Sequence, residues 1–394
     1  MTSRTAVITG VGMTRFRRPA DGVGYEVLAE QAARLALRDA GLSYVDVEQV
    51  YAGWAYGDTT SGQRALLGLG MTGVPIFNVN NACSSGSSAV FLARQAILGG
   101  SVDCALVVGF EQMPAGALEL FFDDRANVLE RHIAVSDSII GETKAPMTPT
   151  LFAAAGREHM VRDDIAAESY AKIAVKARQH AANNPNAVYR DLVSVEEVLA
   201  SRPIIDPLTK LQCCPPTSGA AAAVICSSSL VSRRELANGV ALRGMGLVTD
   251  LPSSFDGSAI SVVGSDISAR AAEQAYEESG VEPADIDVVE LHDCFTINEA
   301  LSYEALQLAA PGNAEQLIAD GDNTYGGKVV TNPSGGLLSK GHPLGATGVA
   351  QLAELTWQLR GQAGNRQVGR ANLAVQHNVG LNGAAVVSVL ERHS

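Results

Sequence analysis

No stretch of this chain reaches the about eighteen uninterrupted apolar residues that a membrane-crossing helix needs, so no transmembrane segment is expected. Cys-x-x-Cys pairs are also absent. The six cysteines are irregularly spaced along 394 residues, which argues against a disulfide framework and fits a reduced compartment in which a thiol is free to react. Basic residues are few: 29 Lys and Arg stand against 42 Asp and Glu, a formal charge of −13. This balance argues against nucleic acid, whose phosphates demand a dense positive surface, and against an anionic membrane surface. It leaves room for an anionic small molecule, which a few local cations can hold. The N-terminus, MTSRTAVITG, reads as a short strand without the charged and apolar regions of a signal peptide, and the ending Arg392-His393-Ser394 does not match a peroxisomal Ser-Lys-Leu. A cytoplasmic protein is expected.

What is present is ample core material, 46% hydrophobic residues, and an internal echo. The stretch AARLALRDAGLSYVDVEQVYAG, from Ala32, can be laid on AAEQAYEESGVEPADIDVVELHD, from Ala271. Gly41 then falls on Gly280, Asp46 on Asp285, Val47 on Ile286 and Val50 on Val289. Both read as an amphipathic helix, a glycine stop, an acidic turn and a buried strand. A second echo follows: the segment after Cys83 and the segment after His342 each start with small residues, enter an apolar helix that ends at glycine, and lead to an apolar strand. These patterns predict an α/β fold made of two duplicated halves, with mixed or parallel sheets covered by helices and the small-residue helix after Cys83 sandwiched between sheets. The expected division is 1–113 plus 201–235 for the first half and 236–394 for the second. Residues 114–200, rich in charge and helix formers, form a mostly helical insertion over one face. Such an insertion carries substrate contacts or is a solvated subdomain.

Cys83 lies in Asn-Asn-Ala-Cys-Ser-Ser-Gly at a predicted helix start, where amides and the helix dipole favour a thiolate and small neighbours leave an open approach. His342 sits in Gly-His-Pro ahead of the matching helix of the second half, so duplication brings it towards Cys83. His292 and Cys294, in His-Asp-Cys-Phe, follow the end of a predicted strand and face a ligand crevice if the chain stays extended. Zinc is the weaker reading of that pair, because no further Cys or His lies at ligand spacing, and no metal is expected. His377 is a further candidate, with Gly380 after it able to supply an oxyanion-hole amide. Cys104, Cys226, Cys213 and Cys214 read as core, and His132, His159, His180 and His393 as solvent-facing.

Taken together, these motifs resemble the thiolase superfamily, and more narrowly its sterol carrier protein type. The resemblance runs from Gly10-Val11-Gly12 through NNACSSGS, CALVVGFEQM and LQCCPPTSGAAAAV to GDNTYGGKVVTNPSGGLLSKGHPLGATG. It implies the thiolase fold, duplicated mixed-sheet halves layered α-β-α-β-α with a helical loop domain. It also implies CoA-dependent cleavage of a 3-oxoacyl-CoA through an acyl-Cys83 intermediate. Ordinary thiolases carry a second cysteine in a C-terminal Cys-x-Gly; here that region reads Gln-His-Asn-Val-Gly, and Cys294 takes over the acid–base role. His342 activates Cys83, His292 holds a water, and the amides of Cys83 and Gly380 bind the thioester oxygen. Coenzyme A is a substrate and no cofactor is implied; Lys210, Arg202 or Arg243 are the basic residues that would meet it. A homodimer or dimer of dimers is implied, acting in lipid or steroid breakdown, and no fused lipid-transfer domain is expected. One departure is Ser218, where an acidic residue is common. The alternatives are a Claisen-condensing acetyltransferase, an aldolase working with a small partner protein, and a non-catalytic lipid-binding scaffold.

Overall fold

The computed structural model describes residues 4–114, 116, 122, 124–141 and 143–393. Twelve strands occur along it: β1 (Ala6–Met13), β2 (Gln49–Gly53), β3 (Ile76–Val79), β4 (Cys104–Glu111), β5 (Pro203–Ile205), β6 (Leu208–Thr209), β7 (Gly219–Ser227), β8 (Val240–Val248), β9 (Val288–Glu290), β10 (Val330–Thr331), β11 (Leu373–Val379) and β12 (Ala385–Arg392). Strands β5 and β6 make a small hairpin, and the other ten run in the order β10-β9-β11-β12-β8-β1-β7-β4-β2-β3. Read outward from the centre, the halves β1-β7-β4-β2-β3 and β8-β12-β11-β9-β10 have the same pairing. In each, two antiparallel ladders are followed by two parallel ones. Along the sheet, the β1–β8 ladder that joins the halves pairs just Val7 with Ala241 and Ile8 with Val240 among the described residues.

The echo in the sequence is therefore an echo in space. Helices Tyr25–Ala40 and Ser265–Ser279 both stop at a glycine with φ near +66° (Gly41 at 66°, Gly280 at 67°), the left-handed position where a side chain is disfavoured. Each covers the outer face of its own half, the first packing Ala29, Ala32 and Ala36 with β4 and β7, the second Ala271 and Ala275 with β12. Helices Ser85–Leu98 and Leu344–Arg360 lie between the halves, where Val90, Ala93, Val349 and Leu352 share one core with inner-face residues of both sheets. The layers are thus α-β-α-β-α, because strands buried on both faces need helices on both sides. No helix among the described residues is long and apolar enough to cross a membrane.

Between β4 and β5 come helices Glu130–Ile140, Met147–Asp163, Ala167–Ala181 and Val195–Leu199. Residues 115, 117–121, 123 and 142 of this insertion lie outside those described. Its histidines are not solvent-facing as the charged sequence suggested: His132, His159 and His180 are all buried. Contacts with the second half enclose them: the His132 ring meets Phe255 edge to face at 5.0 Å, and the His180 ring meets Tyr325 at 4.8 Å. His159 Nδ1 meets the Tyr170 hydroxyl at 3.0 Å, and His180 is held between Thr324 Oγ1 at 2.7 Å and the Asn332 carbonyl at 3.0 Å. Cys104 and Cys226 are core, as expected, side by side on β4 and β7 with sulfurs 3.9 Å apart.

Candidate active site

The two helices of the middle layer point their N-termini at one place. The turn before Ser85–Leu98 carries Cys83, and Ala82 ahead of it is forced to φ 50°. The turn before Leu344–Arg360 carries His342. The chain leaving β9 carries His292 and Cys294. Sγ of Cys83, a ring nitrogen of His292 and a ring nitrogen of His342 all lie within 4.8 Å of one another. These three and Cys294 line one cavity of about 840 Å³. Sequence spacing showed no such cluster, since the three residues are far apart along the chain; duplication of the halves is what joins them.

The loops are tied to the strands by buried polar side chains. Asp293 accepts from the amides of Leu337, at 2.7 Å, and Leu338, at 3.3 Å, which holds the segment leading to His342 against His-Asp-Cys-Phe. Glu290, at the end of β9, accepts from Ser334 N at 2.9 Å and from Lys340 Nζ at 3.2 Å. Glu111, at the end of β4, accepts from the amides of Ala55, Tyr56 and Gly345, so one carboxyl pins the loop after β2 to the start of the His342 helix. Burial pushes that carboxyl up to about 7.

The electrostatics correct one expectation. Cys83 was read as a thiolate favoured by its helix, but burial, with the nearby Glu111 carboxyl adding to it, pushes the thiol up to about 12. At rest Cys83 is held as a neutral thiol, and a thiol of this kind attacks a carbonyl only after a base takes its proton. Burial lowers His342 to about 3 and keeps its imidazole neutral, so a ring nitrogen beside Cys83 has a lone pair open to that proton. Its Nδ1 lies 2.7 Å from Thr347 Oγ1, whose single proton is used 3.0 Å away on the Pro343 carbonyl. Nδ1 therefore donates, and Nε2 keeps its lone pair for Cys83. Burial likewise raises Cys294 well above the ordinary thiol value, with Cys214 and Cys83 adding to the shift.

One further expectation fails, and the orienting place expected of His377 is narrowed. Gly380 was to offer its amide to an oxyanion, yet that amide donates to the Ala384 carbonyl at 2.9 Å. The glycine is there for space: a Cβ would stand 2.3 Å from the Asn81 carbonyl oxygen in the nucleophile turn. His377 points to the opposite face of β11 from the site, because strand side chains alternate. Its Nε2 meets Ser268 Oγ at 2.9 Å, and its Nδ1 receives the His292 amide at 3.5 Å, so it orients the backbone of His292 and contacts no ligand space. The neighbour that alternation puts on the site face, Asn378, was missed; its Nδ2 lies 2.9 Å from His292 Nδ1.

Cys213 and Cys214 were taken for core and instead line the cavity, with the Cys214 amide bonded to the Cys294 carbonyl at 2.9 Å. Ser218 is buried and accepts the Met113 amide at 3.1 Å, so the loop packs without an acidic residue. Of the basic guesses, Arg202 and Lys210 line the cavity, together with Arg178, which the sequence did not single out. None of these three forms a salt bridge among the described residues. Arg243 lies on β8 and pairs with Glu391, away from the cavity. The walls include Phe122, Leu129, Phe152, Phe295, Leu338 and Leu381.

Comparison with known proteins now decides the class. A thiolase N-terminal domain model matches residues 6–229, and a thiolase C-terminal domain-like model matches 258–392. The chain belongs to the thiolase family. It is 50% identical to sterol carrier protein 2 of Gallus gallus over 390 residues, covering 98% of this chain and 71% of that protein. It is 37% identical to the benzoylsuccinyl-CoA thiolase subunit of Thauera aromatica, covering 93% and 91% of the two chains. Among solved structures, the Ltp2-ChsH2(DUF35) aldolase superposes with a TM-score of 0.82 at 24% identity, covering 98% of both chains, which shows the shared fold. This thiolase is an acyltransferase of the family, and His292 and His342 line the same cavity as Cys83.

Proposed function

We propose that this thiolase cleaves 3-oxoacyl-CoA with coenzyme A, through an acyl group carried on Cys83. The observation that carries the reading is the meeting of Cys83, His292 and His342 within 4.8 Å, with Cys294 on the same cavity. Nε2 of His342 takes the Cys83 proton as the sulfur adds to the 3-keto carbon, and the Cys83 amide faces the growing negative charge. The bond between carbons 2 and 3 then breaks, and its electron pair moves into the thioester as an enolate. His292 supplies the donor on the thioester side, directly or through a water, and Cys294 gives carbon 2 its proton. Acetyl-CoA, or propionyl-CoA from a 2-methyl substrate, departs, and the shortened acyl group stays on Cys83. Cys294, now a thiolate, takes the proton of incoming coenzyme A, whose sulfur attacks the acyl-Cys83 carbonyl. The leaving Cys83 thiolate recovers its proton from His342.

Arg178, Arg202 and Lys210 are the basic residues we assign to the phosphates of coenzyme A, a substrate here and not a resident cofactor. The apolar walls take the acyl chain, straight, 2-methyl-branched or of the sterol side-chain type. Retention of both thiols and His342 favours thiolysis over an aldolase reaction with an accessory protein, and over a non-catalytic scaffold. We expect a cytoplasmic homodimer. The test is a CoA-dependent cleavage assay over 3-oxoacyl-CoAs differing in length and 2-methylation, following loss of the 3-oxoacyl thioester. Absence of cleavage across the panel would sink the proposal.

A further inference from the structure

Three donors that bind zinc well, one sulfur and two imidazole nitrogens, lie within 4.8 Å of one another beside an open cavity. A zinc ion would hold Cys83 and block it. Whether the cluster can take a metal depends on which nitrogen of each histidine carries the proton, because a ligating nitrogen must offer a lone pair while the other ring nitrogen donates to a second group. His342 meets that requirement, with Nδ1 donating to Thr347. His292 does not.

The reason is a directed chain of hydrogen bonds. Gln351 Nε2 donates to the His377 carbonyl at 3.0 Å, so its Oε1 faces Gln376 and receives the Gln376 amide nitrogen at 3.0 Å; that nitrogen also donates to Ser87 Oγ at 2.7 Å, while Gln376 Oε1 accepts from Ser388 Oγ at 2.8 Å. Ser87 donates its own proton to Asn378 Oδ1 at 2.9 Å. With its oxygen so committed, Asn378 presents Nδ2, a donor with no lone pair, to Nδ1 of His292 at 2.9 Å. His292 Nδ1 must accept, and its proton must sit on Nε2. Asn378, Gln376, Ser87 and Gln351 are all buried or nearly so, which keeps water from substituting for any link.

We propose that Asn378 is a positioning residue that locks His292 as the Nε2–H tautomer, making it a hydrogen-bond donor to the substrate oxyanion and denying the Cys83–His292–His342 cluster to zinc. The inference rests on the thiolase reading for its oxyanion, while the exclusion of metal stands on the geometry alone. An aspartate at this position would accept from Nδ1–H, move the lone pair of neutral His292 to Nε2, and complete a zinc site.

The test is Asn378→Asp in the full-length chain. Its turnover at pH 8 is expected to fall by about 10²–10³-fold, the usual effect of losing one oxyanion donor. The aspartate also favours the imidazolium, which carries protons on both nitrogens, so the deficit is expected to shrink as pH falls towards 6. Stoichiometric Zn²⁺ is expected to bind this variant and protect Cys83 from iodoacetamide at pH 8, while leaving labelling of the wild-type chain unchanged. Wild-type turnover in the variant, a deficit constant with pH and without zinc uptake, or zinc protection of wild-type Cys83 would each overturn the proposal. Should Asn378→Asp fail to fold, Ser87→Ala decides. It frees the amide to rotate, so part of both effects is expected, and their absence overturns the proposal. A wild-type chain without activity on any 3-oxoacyl-CoA would remove the thiolase reading and leave the zinc arm intact.

Discussion

The imidazoles of His292 and His342 meet edge to face, with centroids 5.1 Å apart and planes at 84°. Burial holds His292 well below the ordinary histidine value, and the neighbouring His342 and His377 push it lower still. The reactive cavity at rest is therefore uncharged at its centre: two neutral imidazoles and two thiols. In the proposed reaction, charge enters this centre when Nε2 of His342 takes the Cys83 proton.

Alkylation of Cys83 reports that resting state. Because the thiol stands at about 12, the thiolate fraction, and with it the iodoacetamide inactivation rate, is expected to climb about tenfold per pH unit between 7 and 10. A rate that plateaus below pH 8 would instead reveal a preformed thiolate–imidazolium pair.

Replacing Cys294 with alanine separates the two thiols. We expect Cys294→Ala to lose steady-state cleavage, since carbon 2 and incoming coenzyme A lack their proton partner, yet to accept an acyl group on Cys83 from a simple acyl-CoA. Intact-mass spectrometry should show one added acyl group without turnover. Full activity in this variant would contradict the assignment of Cys294.

Gly348 has a steric job at the polar chain behind His292. A Cβ there would stand 1.9 Å from Ser87 Oγ and 2.8 Å from Asn378 Oδ1. Gly348→Ala is expected to destabilise the fold by about 1–3 kcal/mol, the common cost of overpacking, and to lower kcat more than it raises KM. Thermal denaturation and steady-state kinetics together check this, and an unchanged kcat would argue that the chain tolerates displacement of Ser87.

Stability should fall with acid. His342, His377 and His180 have folded values lowered to about 3 against an ordinary 6.5, so each contributes stability that is present above 6.5 and lost as pH falls towards 3. Glu111 acts the other way: its folded value of about 7 lies above the ordinary 4.5, so its contribution is present below 4.5 and lost as pH rises through 7. His292 and His132, also lowered, add to the histidines, and Glu290, Asp293 and Asp250, also raised, add to Glu111, so five histidines stand against four carboxyls in the shared window. The Tm is expected to drop steadily below pH 6.5, and a Tm that rises between pH 7 and pH 5 would contradict the neutral histidines.

Arg178 lies 4.6 Å from the Tyr189 ring centroid on the cavity wall, and Arg18 packs on the same ring at 5.4 Å. If the basic rim holds phosphates, Arg178→Ala raises the KM for coenzyme A by about tenfold or more while kcat changes little, and the effect weakens in high salt. Equal KM values at low ionic strength would move the phosphates elsewhere.

Much of this was readable from residue order. Periodicity and glycine stops showed the paired helices and strands, because a helix face or strand buried in the core leaves its period in the sequence. Cys83, His292, Cys294 and His342 stood out because turn-forming residues frame each one. Asn378 did not stand out: it sits mid-strand in Gln-His-Asn, and only the alternation of β11 relative to His292 distinguishes it from His377. The buried histidines of the insertion were misread because charge density along a helix does not say how many of its faces are covered.

The sequence by itself determined the two halves, their repeated elements and the residue types able to carry acyl transfer, since these follow from local pattern and side-chain chemistry. Only the tertiary structure decided protonation and direction. Burial made Cys83 a thiol and His342 a neutral imidazole, the return of the chain after Gly380 consumed an amide expected to be free, and a chain of hydrogen bonds from Gln351 to Asn378 decided which nitrogen of His292 holds its proton. Desolvation and hydrogen-bond direction depend on what surrounds a group in space, and neighbours almost three hundred residues apart, such as Ser87 and Asn378 with |i−j| = 291, leave no local trace in the sequence.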